Sequence, residues 1–218
     1  MTPNAAERFT ERLATATGAA HRDAEESEFV GNLLAGKLAA SAYAAMLGQN
    51  HLIYETLERR TADLAGSVVD RVHTSALIRA PHLAADLRFL TGPTWEARID
   101  ELPATRRYRD RIEQVADGDP RIFIAHHYIR YLGDLSGGQI IKSMLRRAYG
   151  YTDEGVRFYT FADIPKLKPF KDSYRAALDA LDLAPAAEAL FIAEVNDAYA
   201  FNRAVFDELG AAFGRHTP

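Results

Sequence analysis

Apolar residues recur at intervals of three and four along almost the whole chain, and this spacing constrains the fold more than any other feature of the sequence. Ile53, Leu57 and Leu64 show it, and so do Val195 and Tyr199 further along. Such intervals place side chains on one face of a helix, whereas a half-buried strand needs strict alternation. The sequence therefore predicts an all-α protein.

Prolines mark where several of these helices begin. The first N–H groups of a helix have no partner within it, so a proline there loses no hydrogen bond, and its fixed φ already suits the helix. The prolines that precede a helical pattern are Pro93, Pro103, Pro120 and Pro185. The predicted helices span residues 4–22, 23–34, 39–65, 73–90, 94–99, 103–116, 120–149, 169–182 and 185–213. Residues 151–168 contain Gly155, Pro165 and clustered aromatics without helical spacing, so we expect a loop packed on the core.

Composition limits the partners and the chemistry. The 218 residues carry a formal charge of -4, with no block of like charge that would attract nucleic acid or anionic lipid. Cysteine is absent, which excludes disulfides, thiol nucleophiles and thiolate metal sites. No apolar run reaches the roughly 18 residues of a membrane-spanning helix, and the N-terminus lacks the apolar stretch of a secretory signal. We therefore expect one domain over residues 1–218, cytoplasmic, without a membrane anchor.

One helical stretch carries three glycines at its centre. Residues 121–142 are strongly helical on both sides of Gly133, Gly137 and Gly138, although a glycine inside a helix costs about 1 kcal/mol relative to alanine. A break in the helix, or the close approach of another helix, would explain the glycines. Gly133 and Gly137 are four residues apart and share a face, so their backbone could instead lie against a flat ligand, with Asp134 at its edge.

The residues around these glycines resemble a known family. The run YIRYLGDLSGGQ at residues 128–139 is similar to the distal-helix signature of the haem oxygenases, and AHRDAE at residues 20–25 is similar to their proximal-ligand motif. Similarity continues through residues 51–54, 171–175 and 201–202, in the family's order and spacing. The resemblance, to soluble bacterial-type members, implies a multi-helical bundle that holds haem b between a proximal N-terminal helix and a glycine-bent distal helix.

The resemblance makes His21 the proximal ligand of the haem iron, through Nε2. Taken alone, a histidine on a helix is more often a surface or packing residue. Glu25 follows one helical turn later and would accept a hydrogen bond from Nδ1–H of His21, which would fix the ring. Where relatives commonly carry a lysine before the proximal histidine, this chain has Ala14, and Arg12 is the candidate to replace that contact with a haem propionate.

The distal face is assigned by the same resemblance. Gly133 and Gly137 would bring the helix backbone against the haem near bound O2, and Asp134 would anchor a network of waters that delivers protons. Without the motif, core packing would explain Tyr54 and a surface salt bridge would explain Arg130. With it, the residues that support the network are Tyr54, Arg130 and Asn202.

Two basic residues are candidates for binding the haem propionates. Lys171 and Arg175 lie four apart on one helical face and match the propionate-binding pair of the family, and Tyr128 matches a tyrosine used beside them. A solvated charged face is the alternative for the pair. His126 and His127 are interpreted as structural residues.

The implied activity is a haem oxygenase reaction in which haem is both prosthetic group and substrate. With O2 and external electrons the ring would open to biliverdin, the α isomer by analogy, releasing CO and ferrous iron. No flavin or nicotinamide fingerprint occurs, so a ferredoxin or flavoprotein reductase is the expected donor. A non-enzymatic haem carrier or sensor is the alternative, but it would not need Asp134 beside the glycines. A thiaminase-like or di-iron enzyme would need a cysteine or repeated Glu-x-x-His ligands, and the sequence has neither.

Overall fold

The computed structural model describes residues 7–214, and over this range the chain forms helices and no strands. The α-helices of this range are α1 Phe9–Glu25, α2 Glu28–Leu34, α3 Ala40–Asp63, α4 Ala80–Thr91, α5 Pro103–Ala116, α6 Pro120–Ser136, α7 Gly138–Tyr149, α8 Leu167–Asp179 and α9 Pro185–Phe213. Short 3₁₀ helices at Val68–Arg71, Ser75–Leu77, Trp95–Arg98 and Arg157–Tyr159 lie in the connections. The predicted all-α fold is confirmed.

Three of the four predicted proline starts are found. Pro103, Pro120 and Pro185 are the first residues of α5, α6 and α9, and the predicted spans 103–116 and 185–213 match the structure. Pro93 was assigned wrongly, because the segment after it forms only a 3₁₀ helix, too short to close a ladder of α-helical hydrogen bonds. Pro81, in the first turn of α4, is the start that the sequence reasoning missed.

The predicted helix over 73–90 is wrong in its first part, since α4 begins only at Ala80. The side chain of Arg79 explains the difference. Its Nε donates to the carbonyl oxygen of Leu77 at 3.0 Å, and its Nη2 donates to that of Ala76 at 3.2 Å. These carbonyls are therefore satisfied without continuing a helix through this segment.

The boundaries near the N-terminus also differ from the prediction. α1 begins at Phe9 and runs to Glu25, so residues 23–25 belong to it and not to the helix predicted over 23–34. Residues 4–6 of the predicted first helix lie outside the described range. Because His21 and Glu25 share one helix, they stand one full turn apart on the same face.

The predicted helix over 120–149 is interrupted. α6 ends at Ser136 and α7 begins at Gly138, so the break falls at Gly137. The connection 151–168 packs on the core as expected, with Val156, Phe158 and Ile164 buried, although α8 already begins at Leu167.

The long helix α9 organises the fold. α1, α2, α5 and α6 all pack against it, and α3 packs against α4 and α5. α9 thus supports both the helix that carries His21 and the helix that carries Gly133. Among residues 7–214, no helix combines the length and the apolar character that crossing a membrane requires.

Candidate functional site

His21 stands near the end of α1 with 47% of its side chain exposed. Its ring lies 5.3 Å from the ring of Tyr199 on α9, measured between centroids. Its Nε2 is 3.2 Å from Oε1 of Glu25. Glu25 therefore faces Nε2 in this structure, and its hydrogen bond from Nδ1–H stays a prediction for the ring as an iron ligand. Nε2 becomes free for an iron only when this contact opens.

The face of α1 that precedes His21 carries small residues. Ala14 is exposed, and a Cβ added at Gly18 would meet only Nη1 of Arg22, at 3.6 Å. Arg12, the predicted substitute for the missing lysine, binds Glu188 of α9 through two hydrogen bonds of 2.7 and 2.6 Å. A propionate contact from Arg12 would have to break this bidentate pair.

The three glycines of the distal segment differ in what surrounds them. A Cβ at Gly138 would lie 3.1 Å from Cδ1 of the buried Tyr159, so packing favours glycine there. A Cβ at Gly133 would meet nothing within 4 Å, and one at Gly137 would meet only the carbonyl oxygen of Gly133 at 3.6 Å. Gly137 has a φ of -77°, which any residue adopts.

Neither packing nor backbone conformation in the protein therefore explains Gly133 and Gly137. Both leave a cradle along the helix backbone that a larger side chain would fill. A planar ligand laid against the backbone needs such a cradle, so these positions fit haem.

The predicted distal residues form one cluster across three helices. The hydroxyl of Tyr54 on α3 donates to Oδ2 of Asp134 on α6. The guanidinium of Arg130 lies over the Tyr54 ring, 4.7 Å from its centroid. Nη1 of Arg130 donates to Oδ1 of Asn202 on α9 at 2.7 Å. The structure thus brings together Asp134 and all the residues predicted to support it.

Sequence reasoning missed two members of this cluster, both on α3. Oδ1 of Asn50 accepts a hydrogen bond of 2.7 Å from Nη2 of Arg130. Glu58 accepts one of 3.2 Å from the hydroxyl of Tyr131. With Tyr54 they form a row at intervals of four in a largely buried helix. That spacing was the available signal, because polar residues that recur on a buried helix face need partners.

The electrostatics of the cluster centre on Asp134. Burial raises the pKa of Asp134 from 3.8 to about 6, against the opposing effects of Arg130, the Tyr54 hydrogen bond and Arg79. Burial also raises the pKa of Tyr54 well above its usual value, so its hydroxyl remains a neutral donor. Asp134 can therefore take up and release a proton close to neutral pH.

The predicted propionate-binding residues lie on α8, next to the distal segment. Nζ of Lys171 is 3.2 Å from Oγ of Ser136, the residue before the break at Gly137. Arg175 is 43% exposed, and its charge partly offsets the rise that burial causes in the pKa of Tyr128. Both cations therefore lie close to α6.

His126 and His127, interpreted as structural, are fully buried and hydrogen-bonded. Nε2 of His126 is 2.8 Å from Oε1 of Glu194 on α9. Burial raises the pKa of Glu194, but the hydrogen bonds with His126 and Arg111 outweigh it and lower that pKa to about 2. Nδ1 of His127 is 2.8 Å from the hydroxyl of Tyr174 on α8. Each histidine joins α6 to a neighbouring helix.

A family model and several known proteins match most of this chain. The family model described as Heme oxygenase matches residues 7–208. Heme oxygenase 1 of Synechocystis sp. is 36% identical over 199 residues, which cover 91% of this chain and 83% of the relative. Heme oxygenase 1 of Homo sapiens is 34% identical over 205 residues, which cover 92% of this chain and 71% of the relative.

Solved structures agree in fold. The crystal structure of heme oxygenase-1 from Synechocystis, in complex with heme, superposes with a TM-score of 0.89 at 34% identity and covers 94% of each chain. Heme oxygenase from Leptospira interrogans gives a TM-score of 0.87 at 31% identity, covering 93% of this chain and 100% of that one. The family match spans both the His21 helix and the distal glycine segment, and the chain therefore belongs to the haem oxygenase family.

Proposed function

We propose that the protein opens haem b with O2 and electrons from an external donor, and that the products are biliverdin, CO and ferrous iron. The observation that carries this proposal is Asp134, a carboxylate with a pKa near 6 that Tyr54 holds beside the cradle at Gly133. A haem carrier would need the histidine and the cations, but no proton-holding group on the opposite side. We propose that residues 1–218 form one haem oxygenase domain.

The residues divide the work of binding and orientation. Haem, when bound, supplies the iron at which O2 is activated. His21 would hold that iron through Nε2 once its ring turns away from Glu25, an exposed contact that costs little to open. Gly133 and Gly137 would admit the porphyrin face against the backbone. Their lack of side chains leaves a narrow space between haem and α6.

Asp134 would supply protons to that space. Arg130 is fixed by Asn50 and Asn202 and stacks on Tyr54, so the carboxylate of Asp134 has a defined position. With a pKa near 6 it exists in both protonation states at neutral pH, and it would pass protons through ordered water. Asp134 is a catalytic residue in this proposal, and Arg130, Asn50 and Asn202 are positioning residues.

Lys171, Arg175 and Tyr128 would bind the propionates and thereby set which meso edge faces Asp134. Residues 166–175 contain four basic residues and one acidic residue, Asp172. Such a basic surface beside the site suits an acidic electron donor, a ferredoxin or a flavoprotein reductase. The α-isomer and the cytoplasmic location remain predictions of the family resemblance.

The test is turnover of the haem-loaded protein. We expect reductant and O2 to convert the absorption spectrum of bound haem into that of biliverdin, with CO released in equal amount. Asp134→Asn should bind haem as the parent does but form little biliverdin. If the parent keeps its haem intact through repeated reduction and oxygenation, the protein is a carrier or sensor and the proposal fails.

A further inference from the structure

Three side chains that the proposed chemistry does not use form a continuous chain of hydrogen bonds. Nδ1 of His73 lies 3.3 Å from Nε2 of His127, and Nδ1 of His127 lies 2.8 Å from the hydroxyl of Tyr174. His127 is fully buried, Tyr174 is 3% exposed and His73 is half-buried. These hydrogen bonds connect the loop after the first 3₁₀ helix to α6, and α6 to α8.

Both ring nitrogens of His127 are engaged. A neutral imidazole has one donor and one acceptor, so whichever nitrogen of His127 carries the proton, each neighbour must take the complementary role. His73 and Tyr174 can both donate or accept. The bond to His73 therefore holds the ring of His127 in the orientation in which it bonds the hydroxyl of Tyr174.

Tyr174 stands between the two cations expected at the propionates, three residues after Lys171 and directly before Arg175. α8 has few buried anchors, since Tyr174 and Leu178 are its only buried residues. The other bonds that tie α8 to the described part of the protein lie at its C-terminal end, where Asp179 accepts from the backbone of Thr10, or at the surface. Tyr174 is thus the buried polar anchor nearest Arg175.

The adjacent rings make this anchor stiff. The rings of His127 and Tyr174 are stacked at 5.8 Å with an interplanar angle of 19°, and His127 also lies 4.4 Å from the ring of Tyr131. Tyr131 directly follows Arg130 of the distal cluster. The stacked rings therefore fix the rotation of α8 relative to α6, the helix that carries Asp134.

We propose that His127, oriented by His73, is a positioning residue that aims Lys171 and Arg175 at the haem propionates through Tyr174. It thereby sets which meso edge of the haem faces Asp134. This inference rests on the proposed function, because it assumes that the two cations bind propionates.

The test compares haem with its dimethyl ester, which has the same ring and no propionate charge. We expect the parent to bind haem about 10- to 100-fold more tightly than the ester, as charge-assisted contacts imply. Tyr174→Phe removes one hydroxyl and keeps the ring, so the protein should remain folded. It should lower the preference at least about threefold and add minor biliverdin isomers to the product.

The matched control is Tyr149→Phe, since the Tyr149 hydroxyl is also bonded, to the carbonyl oxygens of Leu33 and Leu38, but away from α8. It should keep the preference and the isomer pattern of the parent. His127→Gln and His73→Ala should shift both readouts in the direction of Tyr174→Phe.

The outcomes separate two failures. A parent without any preference for haem would show that Lys171 and Arg175 do not bind propionates, which removes that part of the proposed function and this inference with it. A parent with the preference, and a Tyr174→Phe or His127→Gln variant that keeps it together with the isomer pattern, would overturn the inference alone. A parent-like His73→Ala would overturn the orienting role of His73.

Discussion

Replacing Asp134 with asparagine should make the protein more stable while it removes activity. The folded pKa of Asp134 is about 6 against an ordinary value of 3.8, a difference of about 2 units. One unit corresponds to about 1.4 kcal/mol, so the ionised carboxylate lowers the free energy of unfolding by about 3 kcal/mol at pH 7. Asparagine has nearly the same shape, still accepts from the Tyr54 hydroxyl and has no charge to bury.

The sign of the effect gives it a pH dependence. Because burial raises the pKa of Asp134, its protonated form favours the folded state below pH 3.8, and this contribution is lost as the pH rises through 6. The advantage of Asp134→Asn should therefore grow with pH. We expect little gain at pH 4, an intermediate gain at pH 5 and a gain of about 3 kcal/mol at pH 7.

Urea unfolding of the haem-free protein at pH 5 and pH 7 measures this difference directly. Asp172→Asn is the control, because Asp172 is an exposed carboxylate whose pKa is lowered by Lys168, and its replacement should bring no gain at either pH. An equal gain from Asp134→Asn at both pH values, or a loss at pH 7, would refute the burial of a charge at Asp134.

Four further variants test the two sides of the site. Gly133→Ala should stabilise the haem-free protein by up to about 1 kcal/mol, because helix propensity improves and no atom obstructs the methyl group. The same variant should weaken haem binding at least about tenfold. Gly138→Ala should lower the melting temperature instead, since the ring of Tyr159 crowds the added methyl group. Equal thermal shifts in the two glycine variants would contradict this distinction. His21→Ala should lose the histidine-ligated haem spectrum and regain part of it with imidazole, and an unchanged Soret band would end the assignment. Glu25→Ala should bind haem as tightly as the parent or up to about fivefold more tightly, because the exposed contact with Nε2 is worth at most about 1 kcal/mol; a tenfold loss in a haem titration would show that Glu25 supports the ligand and does not compete for it.

The parts of the fold that the sequence predicted are those determined by local chemistry. The helices over 103–116 and 185–213 combine a proline start with apolar residues at helical spacing. The helix prediction over 73–79 failed because the side chain of Arg79 donates hydrogen bonds to the carbonyl oxygens of Ala76 and Leu77. It also donates to the carbonyl oxygen of Thr160, at 2.8 Å. An arginine that bonds residues 81 positions away leaves no local signal.

The site residues likewise divide into those that a local motif identifies and those whose contacts depend on tertiary packing. A motif identified Tyr54, Asp134, Arg130 and Asn202, and the structure shows them in contact. Asn50 lies 80 positions from Arg130, so its hydrogen bond required the packing of α3 on α6. The nitrogen of His21 that faces Glu25 in this structure could not be predicted, because the spacing of two residues on a helix does not specify the rotation of a ring.

Two features of the distal segment lower the stability of the haem-free protein, and Arg130 and Tyr54 offset the second only in part. Gly133 costs about 1 kcal/mol as a helix residue in a position where packing would admit alanine. Asp134, its neighbour, costs about 3 kcal/mol through its raised pKa. Together these are a large fraction of the roughly 5–15 kcal/mol that stabilises a domain. Adjacent residues that break the rules of stable folding mark a functional position. A ligand that fills the cradle at Gly133 and uses the proton of Asp134 accounts for both.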